Sequence, residues 1–216
     1  MVTMHDISAS VQSGESKRTE DLVKMALQEN YSPEVILKNG LVPGFMEQKK
    51  KYRKNEIMDA EILISERAIK AGFRALKPVL ENISSAHAGT VITGTFEGDL
   101  RDTEKNIILY LMKSLNIQVC DLGTSVSSIN FINTAMEKKA GLIVGVTSLT
   151  TFLPQMKSLV QAAAQANIRP KTKILLTGGP VTEGFCKSIE ADYYAPNLIM
   201  ASEMAASLCR QVSGRL

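Results

Sequence analysis

The run Gly94-Thr-Phe-Glu-Gly-Asp-Leu-Arg-Asp-Thr-Glu-Lys-Asn106 concentrates glycines, carboxylates and a guanidinium in one turn-rich stretch. Its glycines lack the GxGxxG spacing of a dinucleotide fingerprint, and it has no Gly-Lys-Ser/Thr of a P-loop. Two later stretches have a complementary character. Thr147, Ser148, Thr150 and Thr151 offer hydroxyls, and Gly178-Gly179-Pro180 removes side-chain bulk, so that a flat or bulky ligand can lie against backbone. A hydroxyl-bearing loop facing a glycine-bearing loop makes a slot with hydrogen-bond donors on one wall. Taken singly, each stretch is also what turns and helix caps look like. On one rim together, they read as a binding site.

The elements between these stretches put them on one rim. Short β-rich runs at Thr90–Thr95, Ile117–Leu122, Leu142–Val146, Lys173–Thr177 and near Tyr193 alternate with helical runs. Those helices begin near Thr103, Ser127, Leu153, Thr182 and Leu198. Such alternation predicts a parallel sheet covered on both faces. In sheets of this kind ligands sit outside the carboxyl ends of the strands. The loops at Gly94–Thr103, Gly123–Ser127, Thr147–Phe152 and Gly178–Thr182 then share that rim.

The N-terminal part reads differently. Residues 1–15 are polar, with Ser8, Ser10, Ser13 and Gly14, and are expected to form a loose tail. Thr19-Glu-Asp opens a helix, Ser32-Pro33-Glu34 a second, which Asn39-Gly40 should end. A third helix is expected from about Pro43 to Arg53 and a fourth from about Asp59 to Leu80. In the fourth, Ile62, Ile69, Phe73, Leu76 and Leu80 mark one face. This predicts a four-helix bundle over residues 16–86, a linker at Asn82–Gly89, and an α/β domain over 87–216. The α/β part is expected to be a Rossmann-like (flavodoxin-like), doubly wound, parallel five-stranded sheet.

Bulk composition excludes several classes. A hydrophobic fraction of 44% and a charged fraction of 22% describe a globular chain, and a net charge of +3 gives no case for nucleic acid. The basic run Lys49, Lys50, Lys51, Arg53, Lys54 reads first as a solvated helix face and second as a docking patch for an acidic partner. Cys120, Cys186 and Cys209 are far apart and in no CxxC pattern, so neither a disulfide framework nor a zinc site is suggested. No metal ligand set and no acid–base or nucleophile constellation is read from the chain. With no signal-peptide pattern and no apolar span, a cytoplasmic location is expected, without membrane contact.

The α/β part resembles the cobalamin-binding domain shared by methionine synthase and the corrinoid methyl-carrier proteins. In that family one loop reads Asp-x-His-x-x-Gly, a later one Ser-x-Leu and another Gly-Gly. The matching positions are Asp99-Leu-Arg101-Asp-Thr-Glu104, Thr147-Ser-Leu149 and Gly178-Gly179. Val119-Cys-Asp-Leu-Gly123 and Gly178-Gly-Pro-Val-Thr182 are similar too. Asn39-Gly-Leu-Val-Pro-Gly44 and Ala60-Glu-Ile-Leu-Ile-Ser-Glu-Arg-Ala68 look like the family's helical cap over the upper face of the cofactor. The likeness runs in order over roughly residues 19 to 208.

The resemblance implies cobalamin as cofactor, held by Gly98, Asp99, Leu100, Arg101, Asp102, Thr103, Glu104, Gly123, Thr147, Ser148, Leu149, Thr151, Gly178, Gly179 and Tyr194. It implies a carrier whose cobalt takes a methyl group from a donor-side methyltransferase and passes it to an acceptor-side one. A homodimer is an allowed assembly. The departures fall at the heart of the motif. The histidine that ligates cobalt falls at Arg101 and the motif glycine at Glu104. The serine that meets the nucleotide tail falls at Thr147, or at Ser148 if the loop is one residue short. The glycine of a usual Gly-Ala-Asp falls at Glu190. A guanidinium offers no lone pair, so cobalt is expected to lack a protein histidine ligand. A salt bridge from Arg101 to Glu104, Asp99 or Asp102 is the plainer role for this side chain. His5 and His87 are read as surface histidines. Two further readings stay open: a non-catalytic module for cobalamin storage, sensing or delivery, and a degenerate homologue without cofactor.

Overall fold

The computed structural model describes residues 1–82 and 89–213, with side chains as far as residue 210. The expected linker, and His87 within it, lies almost wholly outside the described residues. The chain divides into two compact units, Met1–Ser84 and Ser85–Leu216.

The first unit is helical. The expected loose tail is instead α1 (Met4–Gln12), and this is a correction to the polar reading of residues 1–15. Thr3 caps it: its Oγ1 accepts from the Asp6 N–H at 3.1 Å, and the Asp6 carboxylate accepts the Thr3 N–H at 3.0 Å. Such a reciprocal box satisfies two of the backbone donors that every helix start leaves open. Ile7, Ser10 and Val11 form the buried face. Full burial of side chains like Ile7 and Val11 stabilises the unit by about 1.5–3 kcal/mol each. Ser10 could not join that face without a partner, and it shares a hydrogen bond with Thr19 on α2 (Ser16–Gln28), the hydroxyls 2.9 Å apart.

α3 (Pro33–Ile36) is a single turn, with Ser32 as cap and Pro33 in the first position. The chain does not stop at Asn39-Gly40. It continues through a π-helical turn, Leu37–Leu41, into α4 (Val42–Arg53), which corrects the expected helix end. The reason is packing. A Cβ on Gly40 would lie 3.0 Å from Ile7 Cγ2, and one on Gly44 would lie 2.6 Å from the Ser8 carbonyl oxygen. These glycines therefore seat α1 against α4 and do not turn the chain. The basic run closes α4, where cations offset the helix dipole, and Lys50, Arg53 and Lys54 face solvent. α5 (Asp59–Glu81) buries the predicted face of Ile62, Ile69, Phe73, Leu76 and Leu80 and packs chiefly on α2.

The second unit matches its expected elements closely. It runs β1 (Thr90–Gly94), α6 (Thr103–Ser114), β2 (Gln118–Asp121), α7 (Ser128–Glu137), β3 (Leu142–Val146), α8 (Leu153–Gln165), β4 (Lys173–Thr177), α9 (Glu183–Ser188), β5 (Tyr193–Ala195) and α10 (Leu198–Ser213). All strands are parallel, in the order β2-β1-β3-β4-β5. This is the flavodoxin-like arrangement, whose order reverses between β1 and β3. Ile92, Ile143, Ile174 and Leu176 share one core with Phe131 and Ile132 of α7 and Met156, Leu159 and Val160 of α8. Alternation along the strands sends Val91, Val144 and Leu175 to the other face, where α6 and α10 pack. At the amino ends of the strands Asp192 forms a clasp. It accepts the Ile174 N–H at 2.8 Å and pairs with Arg169 at 3.0 Å and Lys173 at 3.6 Å.

Candidate functional site

The switch point between β1 and β3 opens onto loops 95–102 and 147–152, and Asp99 joins them. Its side chain is 2% exposed. One carboxylate oxygen accepts the Arg101 N–H at 3.1 Å and Arg101 Nε at 3.3 Å. The other accepts from Thr147 Oγ1 at 3.3 Å. The Asp99 carbonyl accepts from Thr95 Oγ1 and from the Ser125 N–H. A buried carboxylate costs several kcal/mol unless it is paired and hydrogen-bonded. Here Arg101 of its own loop and Thr147 of the β3 loop satisfy the carboxylate, and Ser125 of the β2 loop bonds the Asp99 backbone carbonyl, so residue 99 ties three loops together.

Arg101 thus makes one of the salt bridges named as its plainer role, the one to Asp99. Its side chain remains 44% exposed. Gly98 sits at φ +87 and donates its N–H to Ser125 Oγ at 3.0 Å, which ties the first loop to the loop after β2. Gly123, at φ +82, donates to Asp121 Oδ1 at 2.9 Å, and its carbonyl accepts the Thr95 N–H. Asp102 precedes α6 and accepts from Asn106 Nδ2 at 2.9 Å. Thr103 and Glu104 are buried in the first turn of that helix.

In the β3 loop the buried Thr147 hydroxyl accepts the Leu149 N–H at 3.3 Å. Ser148 is half-buried, and Thr151 is exposed in the short turn Thr150–Phe152. Leu149 is 39% and Leu100 75% exposed, so two leucines project into solvent at the rim. In the β4 loop Gly178 adopts φ +126, and a Cβ there would lie 1.9 Å from the Thr147 carbonyl oxygen. Gly179 beside it is exposed.

Fourteen of the fifteen sequence-predicted positions therefore lie on or beside the four loops at the carboxyl ends of the strands, or in the first turn of α6. Tyr194 stands apart. It lies within β5 at the sheet edge, paired with Leu176 and packed against the core. Sequence reasoning passed over Thr95 and Ser125, which hold the Asp99 loop from below. Ser125 at φ +55 is a serine in a conformation that glycine favours, a strain that no residue pattern announces. No group of three or more His, Cys, Asp or Glu suited to a metal ion occurs among the described residues.

The chain's likeness to known proteins follows these two units. Two models, each described as a B12 binding domain, match residues 3–77 and 89–197. The dimethylamine corrinoid protein of Methanosarcina barkeri is 32% identical over 178 residues, 82% of this chain and 83% of the relative. A corrinoid protein of Desulfitobacterium hafniense is 27% identical over 208 residues, 95% of this chain and 96% of the relative. Among solved structures, the Methanosarcina barkeri monomethylamine corrinoid protein superposes with a TM-score of 0.81 at 26% identity, covering 94% of this chain and 96% of that one.

Proposed function

Because the chain belongs to the B12-binding corrinoid-protein family, we propose that it carries a methyl group on a bound corrinoid between a donor-side and an acceptor-side methyltransferase, with no protein nitrogen ligating cobalt. A corrinoid bound at this rim supplies the methyl-accepting and methyl-releasing chemistry through its cobalt. The chain's own residues bind and orient it.

The residues present suit a flat macrocycle. Leu100 and Leu149 hold apolar surface in solvent at the strand-end rim, where a corrin face would cover it. Gly98 and Gly123 leave backbone accessible beside them. A Cβ on Gly98 would meet only Phe152, at 3.5 Å, and one on Gly123 would meet nothing within 4 Å. No residue of the Asp99 network supplies a neutral nitrogen. What supports the ligand-free part of this reading is Arg101, which the resemblance aligns with the family's ligating histidine and whose guanidinium is held against Asp99. A fixed cation there favours the less positive states of a nearby metal.

The test is direct. The protein is mixed with hydroxocobalamin, desalted and reduced by one electron for EPR. Colour is expected to be retained. In a parallel cobinamide-loaded sample, which has no base of its own, the cobalt signal should lack nitrogen coupling. Arg101→His should introduce that coupling. Nitrogen coupling in the wild-type cobinamide sample refutes the ligand-free reading, and a colourless protein refutes the carrier. Arg101 also favours a second reading, storage or delivery, since no methyl cycle then needs axial tuning. Retained colour without methylation after reduction supports it.

A further inference from the structure

Gly94 and Gly145 are register partners at the carboxyl ends of β1 and β3, directly beneath the switch point. Two facing glycines there remove side chains from the sheet floor and leave a recess at the place where doubly wound sheets take ligands. The protein fills that recess itself. A Cβ on Gly145 would lie 2.8 Å from Phe96 Cζ and 2.8 Å from Leu176 Cδ2. A Cβ on Gly94 would lie 3.1 Å from Phe131 Cζ. The two phenylalanine rings touch, with centroids 5.8 Å apart, and both are buried. Phe96 belongs to the first rim loop, and its bridge to Val126 holds it in place.

The neighbouring donors are engaged as well. The Thr147 hydroxyl serves Asp99 and Leu149, and the space beside Gly178 belongs to the Thr147 carbonyl. The floor beneath the rim is thus closed by aromatic side chains, and the hydroxyl and glycine beside it are committed to internal contacts.

We propose that Phe96 is a specificity-determining residue: its ring takes the recess over Gly145, against the Phe131 ring that takes the one over Gly94, so the chain holds a corrinoid by the macrocycle alone and accepts forms with or without a nucleotide base. This rests on the corrinoid reading above and names the cofactor class within it. A cofactor's lower base is a flat aromatic heterocycle, and the recess between the two glycines is suited to a flat ring. With that place taken, the nucleotide adds little contact, and its loss should cost little affinity.

The experiment titrates the full chain with diaquocobinamide and with hydroxocobalamin, following bound absorbance after rapid desalting. The two dissociation constants should agree within about threefold. Phe96→Val, and independently Phe96→Ala, should shift the ratio at least tenfold toward hydroxocobalamin by opening the recess. Benzene should raise the Tm of Phe96→Ala and not of the wild type, because a buried apolar cavity of ring size binds such a probe. A wild-type preference for hydroxocobalamin of tenfold or more overturns the inference and leaves the carrier reading intact. An unchanged ratio in folded Phe96 variants also overturns it. Absence of colour with both cofactors instead sinks the carrier reading.

Discussion

Replacing Gly178 with alanine should damage the sheet unit far more than the same change at Gly123. Both residues have positive φ, +126 and +82, so both pay a conformational cost of about 1 kcal/mol or more on gaining a Cβ. Their surroundings differ completely. At Gly123 nothing lies within 4 Å of the new atom, whereas at Gly178 the Thr147 carbonyl oxygen lies 1.9 Å away and the Thr147 carbonyl carbon 2.9 Å away. Reaching an ordinary C···O contact of about 3.3 Å demands a backbone shift of roughly 1.4 Å. That shift is imposed where the Thr147 N–H donates to the Thr177 carbonyl at 3.3 Å and the Thr147 hydroxyl to Asp99. Losing the support of a buried carboxylate adds a penalty of about 1–3 kcal/mol. The total for Gly178→Ala is therefore about 3 kcal/mol or more, against about 1 kcal/mol for Gly123→Ala. For a chain of this size each kcal/mol is worth about 2–4 °C. Scanning calorimetry of the second unit's transition should show a Tm loss of about 6–12 °C for Gly178→Ala and about 2–4 °C for Gly123→Ala. Equal losses would show that the β3–β4 loop contact contributes nothing and that only φ matters.

Three other outcomes are expected. Glu190→Gly should raise stability by about 0.5–1 kcal/mol, because Glu190 sits at φ +60, and equilibrium urea unfolding should show a higher midpoint with an unchanged slope. Hydrogen bonding to Thr3 holds the Asp6 carboxyl below its ordinary value of 3.8, so the capping box contributes above that value and weakens as pH falls through the lower, folded one. The protection factor for hydrogen exchange in the first turn of α1, taken relative to the intrinsic rate at each pH, should fall on acidification in the wild type and be already low, and flat with pH, in Asp6→Asn. Burial pushes the Cys186 and Cys209 thiols up to about 11, so their contribution to stability is full below about 9 and declines between 9 and 11. At pH 8 a thiol reagent should label Cys120 first and reach all three cysteines only in denaturant; fast labelling of Cys186 in the folded protein would contradict its burial.

The α/β unit was readable because its central strands, β1, β3 and β4, are runs of β-branched and aliphatic residues bounded by turn residues. Leu142–Val146 and Lys173–Thr177 fall at the bounds their composition marks. The helical unit was less so. α1 carries only Ile7 and Val11 on a buried face completed by Ser10, so its pattern reads as tail. Its one local sign was Thr3 three residues before Asp6. Asn39-Gly40 has the composition of a helix stop, but the glycine answers to Ile7 across the unit, a tertiary demand invisible along the chain. At the site, residue types gave the loops that gather at the carboxyl ends of the strands. They could not give the Asp99 network, which joins residues up to 48 apart in sequence, or the ring of Phe96 lying over Gly145.

The Asp192 clasp bears on how this molecule can be altered. Arg169, Lys173 and the Ile174 amide all anchor to one carboxylate at the end of the sheet remote from the rim. That end acts as an abutment, so the exposed rim positions Glu97, Leu100, Thr124, Thr150 and Thr151 can be randomised while the buried Phe96, Asp99, Val126 and Thr147 are kept and the strands stay in order. A library confined to them would sample new cofactor preferences on a foundation that does not have to be rebuilt.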